Sequence, residues 1–453
     1  MKVLLSDGSG LTSRQLATIL GRKGHEVHVL CARGLSLTKA TGWVKKTHLV
    51  PPFGPDPYAW LHSALGVMIR EKIETVICTQ EQVAVLSAEV DQIRRLGVGI
   101  AVPSFEAVSR VMDKISASHT LQQASVRQPE NVVVGSTDEL RAMTDLLPAF
   151  VKTPIGTASK GVRFAKTVED LAHVGREFEH LGSFRNNGQV LIQKAVAGPL
   201  VMVEGVFSGG KLLSWHACLR AREGPSGGAT KKTSLPLPVF EDDLMKLGAF
   251  LKYDAAMSID AILVEGIPYY IDVNPRITEP MNALEAGVDL VDSLLSISTP
   301  SAHGTRFVRP IPQSPVYGRE NINTHQFVLA ALKAVERGRL LLLFEVFNAL
   351  FGFGEYADSR EELTPVSGDP LSVVFLLCFT ILLLLGGRRL AKYLDGSSVG
   401  NYALSPSGWE AILKAQEAKA AAFQRKRPFF QIYQPAFNEK RPLCTEKRWS
   451  FRK

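Results

Sequence analysis

Short apolar runs of strand length alternate with helix-spaced apolar positions in the first hundred residues. Between the first two runs, leucine and isoleucine recur at helical spacing from Leu11 to about Lys23. This order of strand, helix and strand predicts a parallel sheet covered by crossover helices. The strand-length runs are residues 2–6, 26–31, 74–78 and 98–102.

The loop after the first predicted strand contains too few glycines for a dinucleotide-binding turn. Residues Asp7–Gly10 contain G-x-G but lack the third glycine of that fingerprint. A tight strand-to-helix turn is the simpler interpretation, with a dinucleotide site as the alternative. We assign residues 1–105 to a small Rossmann-like α/β layer.

From residue 106 onward, hairpins become frequent, and the pattern changes from α/β to α+β. Glycine-containing turns at 208–210 and 265–268 each join two apolar runs, which is the signal of an antiparallel hairpin. We assign residues 106–305 to a second domain on this basis. Its strand-length runs are 148–151, 190–193, 201–207, 257–264 and 269–273.

Two carboxylates and an amide fall on one face of the last predicted hairpin. Asp260 on one strand can lie beside Asp272 on the other, and Asn274 projects from the same face two residues later. Such oxygen ligands suit Mg²⁺. Arg276 shares that face if the strand continues, where a guanidinium can hold a phosphate. The alternative is a solvated hairpin face, but polar side chains on so apolar a strand need partners.

Two lysines and a loop of small residues stand upstream of this hairpin. Lys114 opens a predicted helix, and Lys152 ends a predicted strand. The loop that follows, residues 153–161, is rich in small side chains, so its backbone N–H groups can approach phosphate oxygens. It does not match the P-loop pattern. Taken singly, each lysine is also typical of a solvated surface group.

In this order the motifs resemble those of the ATP-grasp superfamily, and most closely the ATP-binding domain of carbamoyl-phosphate synthase relatives. The resemblance covers roughly residues 1–300. It implies a Rossmann-like pre-ATP-grasp domain followed by a two-lobed ATP-grasp fold, with ATP and Mg²⁺ as cofactors. The motifs are Asp113-Lys114, Val151–Pro154 with its glycine-serine loop, Leu191–Lys194 and Asp272–Arg276.

The resemblance also implies a role for each matching residue. The metal ligands would be Asp260, Asp272 and Asn274. The catalytic residues would be Arg276, which stabilises the transferred phosphoryl group, with Arg220 and Arg222 on the substrate side. The nucleotide contacts would be Lys114, Lys152, Gly156, Ser159, Lys160, Gly161, Gln193, Lys194, Val196 and Glu204.

Three positions depart from the usual pattern of that superfamily. Lys194 stands where the adenine hinge often has an acidic residue. Pro199 follows Gly198 where a ribose-binding glutamate is common, which leaves Glu204 as the nearest candidate. Asp272 replaces a more usual glutamate and is chemically equivalent as a ligand. The phosphate and metal contacts are therefore better matched than the adenine and ribose contacts.

The reaction implied by the resemblance is ATP- and Mg²⁺-dependent joining of a carboxylate to an amine through an acyl phosphate. The expected partners are small-molecule carboxylates and amines. One alternative is a carboxylase-type enzyme that forms carboxyphosphate, although no biotin-carrier motif is present. Another is a nucleotide-binding membrane adaptor without catalysis.

The C-terminal third is strongly apolar and then basic. Residues 371–385 contain no charged side chain, and an earlier apolar stretch spans 340–353. We predict a hydrophobic helical region at 320–395 that contacts membrane lipid through Leu340–Leu385. A hairpin or interfacial helix, a single span and a buried extension all remain open, and the basic flank favours the first.

The net charge of +8 belongs to the tail at 396–453 and the residues just before it. From residue 388 to the end there are 14 Lys and Arg against 5 Asp and Glu. The rest of the chain is close to neutral, so no nucleic-acid partner is expected.

The cysteines and the first residues of the chain suggest where the protein is found. The five cysteines are scattered without metal-ligand spacing, which favours a reducing compartment. The first residues are typical of a strand, not of a signal peptide. We therefore expect the protein at the cytoplasmic face of a membrane.

Overall fold

A computed structural model of the chain describes residues 1–32, 36–157, 160–298 and 314–426. Side chains at 226, 395–398 and 423–426 are not described. The chain forms two compact units, residues 1–412 and 413–453. The first unit contains three sheets. Ser159 and the part of the basic tail beyond residue 426 lie outside the described residues.

The first sheet is parallel and five-stranded, in the order β3-β2-β1-β4-β5. It confirms the predicted α/β layer. The strand at 44–49 was not predicted, because four of its six side chains are polar or charged and it forms the edge of the sheet. The elements are β1 (Lys2–Leu5), α1 (Leu11–Arg22), β2 (Glu26–Cys31), β3 (Val44–Leu49), α2 (Pro57–Glu71), β4 (Thr75–Ile77), α3 (Val83–Ala88), α4 (Val90–Arg95) and β5 (Gly99–Ile100).

The second sheet is four-stranded and antiparallel, in the order β6-β9-β7-β8. Two helices precede it, and its apolar face packs on α7 and α8. The elements are α5 (Phe105–Val111), α6 (Lys114–Gln123), β6 (Asn131–Val134), α7 (Thr137–Ala142), β7 (Ala149–Lys152), β8 (Val162–Ala165), α8 (Val168–His180) and β9 (Val190–Lys194).

The third sheet has eight strands, in the order β14-β13-β10-β11-β12-β16-β17, with β15 beside β11. Its last two strands, β16 and β17, lie within the region 320–395 that the sequence predicted as helical. The elements are β10 (Leu200–Ser208), β11 (Lys211–Glu223), β12 (Ala229–Ser234), α9 (Pro238–Leu251), β13 (Ala255–Val264), β14 (Ile267–Asn274), α10 (Met281–Glu285), α11 (Leu290–Ile297), β15 (Val316–Tyr317), β16 (Asn323–His325) and β17 (Ser359–Glu361).

The apolar C-terminal region forms long helices, as its hydropathy predicted. They are α12 (Phe327–Arg337), α13 (Arg339–Phe351) and α14 (Pro370–Tyr402). A further helix, α15 (Pro406–Lys426), lies in the stretch that the sequence predicted as a basic tail. The α14 helix is broken at Gly387, which has φ 55° and ψ −146°. Within the described residues, one helical stretch, 370–422, is long and apolar enough to cross a membrane.

A buried ion pair attaches α14 to the N-terminal sheet domain. The Arg14 guanidinium on α1 lies 3.3 Å from the Asp369 carboxylate at the start of α14, and both side chains are fully buried. Thr41 and Ser372 donate hydrogen bonds to the same carboxylate. Burial lowers the pKa of Arg14 to about 10, so the guanidinium stays charged at neutral pH. Each charge therefore depends on the other for compensation.

Replacing Asp369 by alanine is expected to lower the free energy of unfolding by about 3–5 kcal/mol, because it leaves Arg14 buried without its counter-charge. Urea unfolding measures this loss. Glu106→Ala is the control, since it removes an ion pair with Arg110 whose side chains are 77% and 42% exposed. It should change stability by less than about 1 kcal/mol. Equal effects from the two substitutions would contradict the assigned role of Asp369.

Candidate active site

The β13–β14 hairpin brings Asp260 and Asp272 side by side. The two residues are direct partners in the antiparallel register, and Asn274 pairs with Ser258 two positions away. Asp260, Asp272 and Asn274 therefore share one face of the sheet. Removal from solvent, and next the charge of Asp272, raise the pKa of Asp260 to about 7. This face concentrates negative charge that requires nearby cations.

The two lysines singled out in the sequence supply part of that positive charge. Lys114 begins α6, and its ammonium lies 2.9 Å from the Asp272 carboxylate. Lys152 ends β7 and donates hydrogen bonds to the Gln193 side chain (2.7 Å) and the Ile271 carbonyl (2.8 Å). Burial lowers the pKa of Lys152 to about 8. The sheet of residues 131–194 and the hairpin thus meet at these two ammonium groups.

The two described ends of the small-residue loop after Lys152, residues 153–157 and 160–161, are held together. The Thr153 N–H donates to the Gly161 carbonyl at 2.9 Å. Gly161 has φ +81°, and a Cβ on Gly156 would lie 2.1 Å from the Lys160 carbonyl, so both glycines are required by the backbone. The Pro154 carbonyl accepts from the Lys114 N–H at 2.9 Å. The loop is therefore held over the start of α6, with the Lys160 side chain exposed.

The three arginines are placed differently. Arg276 is 9% exposed, and Arg220 donates a hydrogen bond to the Gly227 carbonyl at 2.6 Å. The charges of both groups partly oppose the rise that burial causes in the pKa of Asp260. Arg222 instead pairs with Glu345 of α13 at 3.2 Å. A register shift in β11 between Arg220 and Arg222 accounts for the difference. The structure therefore brings Arg220, but not Arg222, to the carboxylate pair.

A narrow recess beside the carboxylates contains some of the predicted nucleotide contacts. Lys194 and Val196 lie outside it, and the Lys194 ammonium is 3.5 Å from the exposed Glu130. Glu204 also lies outside it, buried beneath the loop that follows Asn274. The recess is lined by Lys114, Ala117, Ser118, Leu121, Gln128, Leu191, Gln193, Tyr270, Ile271, Asp272 and Val273.

Glu204 holds that loop in place. Its carboxyl accepts hydrogen bonds from the Thr278 N–H at 3.1 Å and the Thr278 hydroxyl at 2.6 Å. Burial raises the pKa of Glu204 from 4.5 to about 8. Through these contacts Glu204 supports the chain at Thr278, two residues after Arg276. Its predicted contact with ribose stays a prediction.

Sequence reasoning missed a buried polar cluster beyond Arg276. The Lys232 ammonium lies 2.7 Å from Glu279 and 2.8 Å from Glu362, and Gln326 donates to both carboxylates. Gln15 of α1 also donates to Glu362, at 3.0 Å. These residues come from distant parts of the chain, so no local spacing could reveal them. Only Glu279 could have been suspected from the sequence, because it lies three residues after Arg276, the last residue of the Asp272–Arg276 motif.

The last turn of α14 also reaches this cleft. Tyr402 is 8% exposed, and its hydroxyl is within the electrostatic influence of Arg276, Glu81 and Glu279. Burial raises the pKa of this phenol well above its ordinary value. The apolar helix therefore ends at the same place as the motif residues.

Three solved structures show what arrangement this is. The chain is similar to biotin carboxylase from Campylobacter jejuni, with a TM-score of 0.54, 12% identity, and 71% and 74% of the two chains covered. It is similar to the biotin carboxylase domain of 2-oxoglutarate carboxylase from Hydrogenobacter thermophilus, with a TM-score of 0.54, 16% identity, and 71% and 73% of the two chains covered. It is also similar to L-amino acid ligase from Bacillus licheniformis, with a TM-score of 0.52, 14% identity, and 68% and 78% of the two chains covered.

The chain has the ATP-grasp fold. No protein-family model matches the sequence, and no curated protein matches it. At identities of 12–16% the similarity establishes the ATP-grasp architecture and leaves the reaction to the site itself. In this ATP-grasp chain Lys114, Lys152 and Asp272 lie where the second and third sheets meet.

The raised pKa of Glu204 makes stability depend on pH. Because the folded pKa lies above the ordinary 4.5, the contribution of this group is complete below about pH 4.5 and is lost as the pH rises through 8. Relative to Glu204→Gln, the wild-type chain should lose on the order of 1 kcal/mol of unfolding free energy per pH unit from pH 5 to 8. Urea unfolding of both proteins tests this, and parallel pH profiles would contradict it.

Proposed function

We propose that this protein is an ATP- and Mg²⁺-dependent carboxylate–amine ligase that acts through an acyl phosphate. The observation that carries the proposal is the paired register of Asp260 and Asp272, with Asn274 on the same face. Lys114 reaches this pair directly, and Lys152 lies behind it. Two carboxylates, an amide and two ammonium groups at one sheet junction suit a metal-bound polyphosphate.

The residues present fit such a ligand. Burial, and next the charge of Asp272, raise the pKa of Asp260. A bound divalent cation would stabilise the charged carboxylate and so oppose both effects. Asp260, Asp272 and Asn274 would hold Mg²⁺, whose chemistry is to neutralise charge on the phosphates. The narrow recess beside these ligands, lined in part by Lys114, Leu191 and Gln193, would have to widen to admit a base.

The side chains of this chain supply positioning and electrostatic stabilisation. Lys114 and Lys152 would bind phosphate oxygens, and Arg276 would face the negative charge that develops during phosphoryl transfer. The loop that follows Lys152 would exclude water from the reactive acyl phosphate. Arg220, whose charge acts on Asp260, would bind the carboxylate substrate.

The similar structures support a reaction of this general class. One of them is named as an L-amino acid ligase and two as biotin carboxylases. A carboxyphosphate-forming reaction uses the same phosphoryl-transfer residues and therefore differs only in its substrates. The substrate pools in the experiment below include bicarbonate for this reason.

Asp260→Asn and Asp272→Asn are each expected to reduce substrate-dependent phosphate release by a factor of about 100 or more, because each removes a charge from the metal ligands. The measurement is phosphate release from ATP and Mg²⁺ with pools of carboxylates, amines and bicarbonate. Glu265→Gln is the control, since Glu265 is an exposed acid in the turn of the same hairpin. It should leave turnover unchanged.

The results separate the candidate functions. ATP binding without turnover by the wild-type protein would favour the non-catalytic adaptor. Turnover that survives both asparagine substitutions would exclude this hairpin as the active site.

We also propose that α13 and α14 attach the protein to the cytoplasmic face of a membrane. Leu340, Leu350 and Leu385 are 82%, 75% and 73% exposed. Four arginines gather where α13 begins and α14 is broken: Arg339 donates to the Leu385 carbonyl, Arg388 donates to the Arg337 carbonyl, and Arg389 follows. Apolar side chains bordered by arginines suit insertion at the depth of the lipid headgroups.

The attachment of α14 at both ends supports a hairpin or interfacial helix over a single span. Asp369 at one end binds Arg14, and Asn401 at the other donates to Ser9 at 3.1 Å. Both ends therefore contact the N-terminal sheet domain. The apolar part from Pro370 to Gly387 is only about 26 Å long, which is short for a spanning helix.

Replacing Leu340 and Leu385 together by aspartate is expected to abolish most sedimentation with phosphatidylcholine–phosphatidylserine vesicles, because it places charge on the inserted face. Both side chains are already exposed, so thermal stability should change little. The control is the pair Ile69→Asp and Leu181→Asp, at positions 62% and 65% exposed elsewhere. Equal vesicle binding by the two double variants, or none by the wild type, would refute the proposal.

A further inference from the structure

Glu81 joins three separate parts of the chain through one buried carboxylate. It follows β4 of the first sheet and is 9% exposed. One of its oxygens accepts a hydrogen bond from the Thr157 hydroxyl in the small-residue loop. The other accepts from the Leu404 N–H, just beyond the end of α14. Neither contact could be predicted, because the three residues are far apart in the sequence.

Close contacts hold the chain around Leu404, so that a displacement of Leu404 would also move the residues next to it. We define the 399–409 segment as the stretch from the last turn of α14 to Trp409. Within it, the Ser405 hydroxyl donates to the Gly54 carbonyl at 2.6 Å. A Cβ on Gly54 would lie 2.2 Å from the Ala403 carbonyl, so the two backbones are in direct contact. Trp409 packs on Phe105 with ring centroids 5.9 Å apart.

Glu81 also lies in the electrostatic surroundings of the proposed active site. Arg276 and Lys114 both act on its carboxylate, although burial is the larger influence and raises its pKa. Tyr402, from the same 399–409 segment, is in turn influenced by Arg276 and Glu81. The Glu81 carboxylate is thus linked to Thr157 of the small-residue loop by a hydrogen bond, and to Arg276 and Lys114 by their charges.

We propose that Glu81 is a positioning residue, which sets Thr157 and the start of the small-residue loop beside the phosphates and links their position to the 399–409 segment. This inference rests on the proposed nucleotide site. Thr157 brings the loop to Glu81, and Leu404 fixes the carboxylate from the opposite side. Nucleotide binding beneath the loop then stabilises the 399–409 segment, and by reciprocity the segment stabilises bound nucleotide. The end of the apolar helix is therefore part of the nucleotide site.

A double-mutant cycle tests the first half of this proposal. Thr157→Val removes only the hydroxyl, and Glu81→Ala removes the carboxylate. Each should weaken binding of a non-hydrolysable ATP analogue by about tenfold, as expected for loss of a buried hydrogen bond to a charged group. The double variant should be no weaker than the weaker single variant, because both changes break the same contact.

Thr153→Val provides the matched cycle. Its hydroxyl bonds to the Ile155 and Gly161 carbonyls inside the loop and does not reach Glu81. Its effect should therefore add to that of Glu81→Ala. A loss confined to Thr157→Val would mean that Thr157 contacts the nucleotide itself, and additive losses for Thr157 and Glu81 would overturn the proposal.

Hydrogen exchange tests the second half with a readout that a merely structural role would not change. In the wild-type chain, the analogue should slow exchange at the amides of residues 401–405, and in Glu81→Ala it should not. Unchanged exchange in the wild type overturns the link to the 399–409 segment. Glu81→Gln, which keeps the volume and one acceptor, replaces Glu81→Ala if the alanine variant does not fold.

The assay also separates this inference from the proposed function. If the wild-type chain does not bind the analogue, both the proposed nucleotide site and the proposed role of Glu81 are refuted. If the wild type and all variants bind the analogue equally, only the role of Glu81 is refuted.

Discussion

The direct pairing of Asp260 with Asp272 is the constraint around which the centre of this structure is arranged. Two adjacent carboxylates repel each other, and removal from solvent raises the pKa of Asp260 to about 7. The surrounding elements offset this negative charge, because each brings a cationic side chain to the carboxylate pair. Lys114 arrives from the start of α6, Lys152 from the end of β7, and Arg276 from the loop after β14. Asp260, Asp272 and Asn274 also offer oxygen atoms on one face of the hairpin, and such ligands suit a divalent cation.

A second buried charge cluster decides how the N-terminal sheet domain meets the large eight-stranded sheet. Lys232 is 1% exposed and lies between the carboxyl groups of Glu279 and Glu362, so its contacts are complete only when β12, β17 and the loop after β14 are all in place. Gln15 adds α1 to the same cluster. Losing any one of these elements would leave a buried charge without a partner, which is strongly destabilising. The strands from 316–361 are therefore required by the sheet that carries the site.

The apolar helix α14 is an integral part of this arrangement. Its start is held by the buried Arg14–Asp369 pair, and its end supplies Tyr402 and the Leu404 N–H to the cleft. Between these two points, many of its apolar side chains remain exposed. Its apolar part, residues 370–387, is the part that we propose to contact lipid. Membrane contact and the geometry of the cleft would then involve the same element.

The sequence by itself determined the alternation of the first sheet, the β13–β14 hairpin and the apolar C-terminal helices, because periodicity and turn chemistry are local properties. The ATP-grasp fold was implied by the resemblance of its motifs to that superfamily. The sequence also placed Asp260 opposite Asp272, since strand residues alternate faces. Only the tertiary structure decided which arginine reaches the site. A register shift in β11 separates Arg220 from Arg222 and sends Arg222 to Glu345. Likewise, Glu81, Lys232 and Tyr402 meet partners 47 to 323 residues away in sequence, and such contacts depend on how whole elements pack.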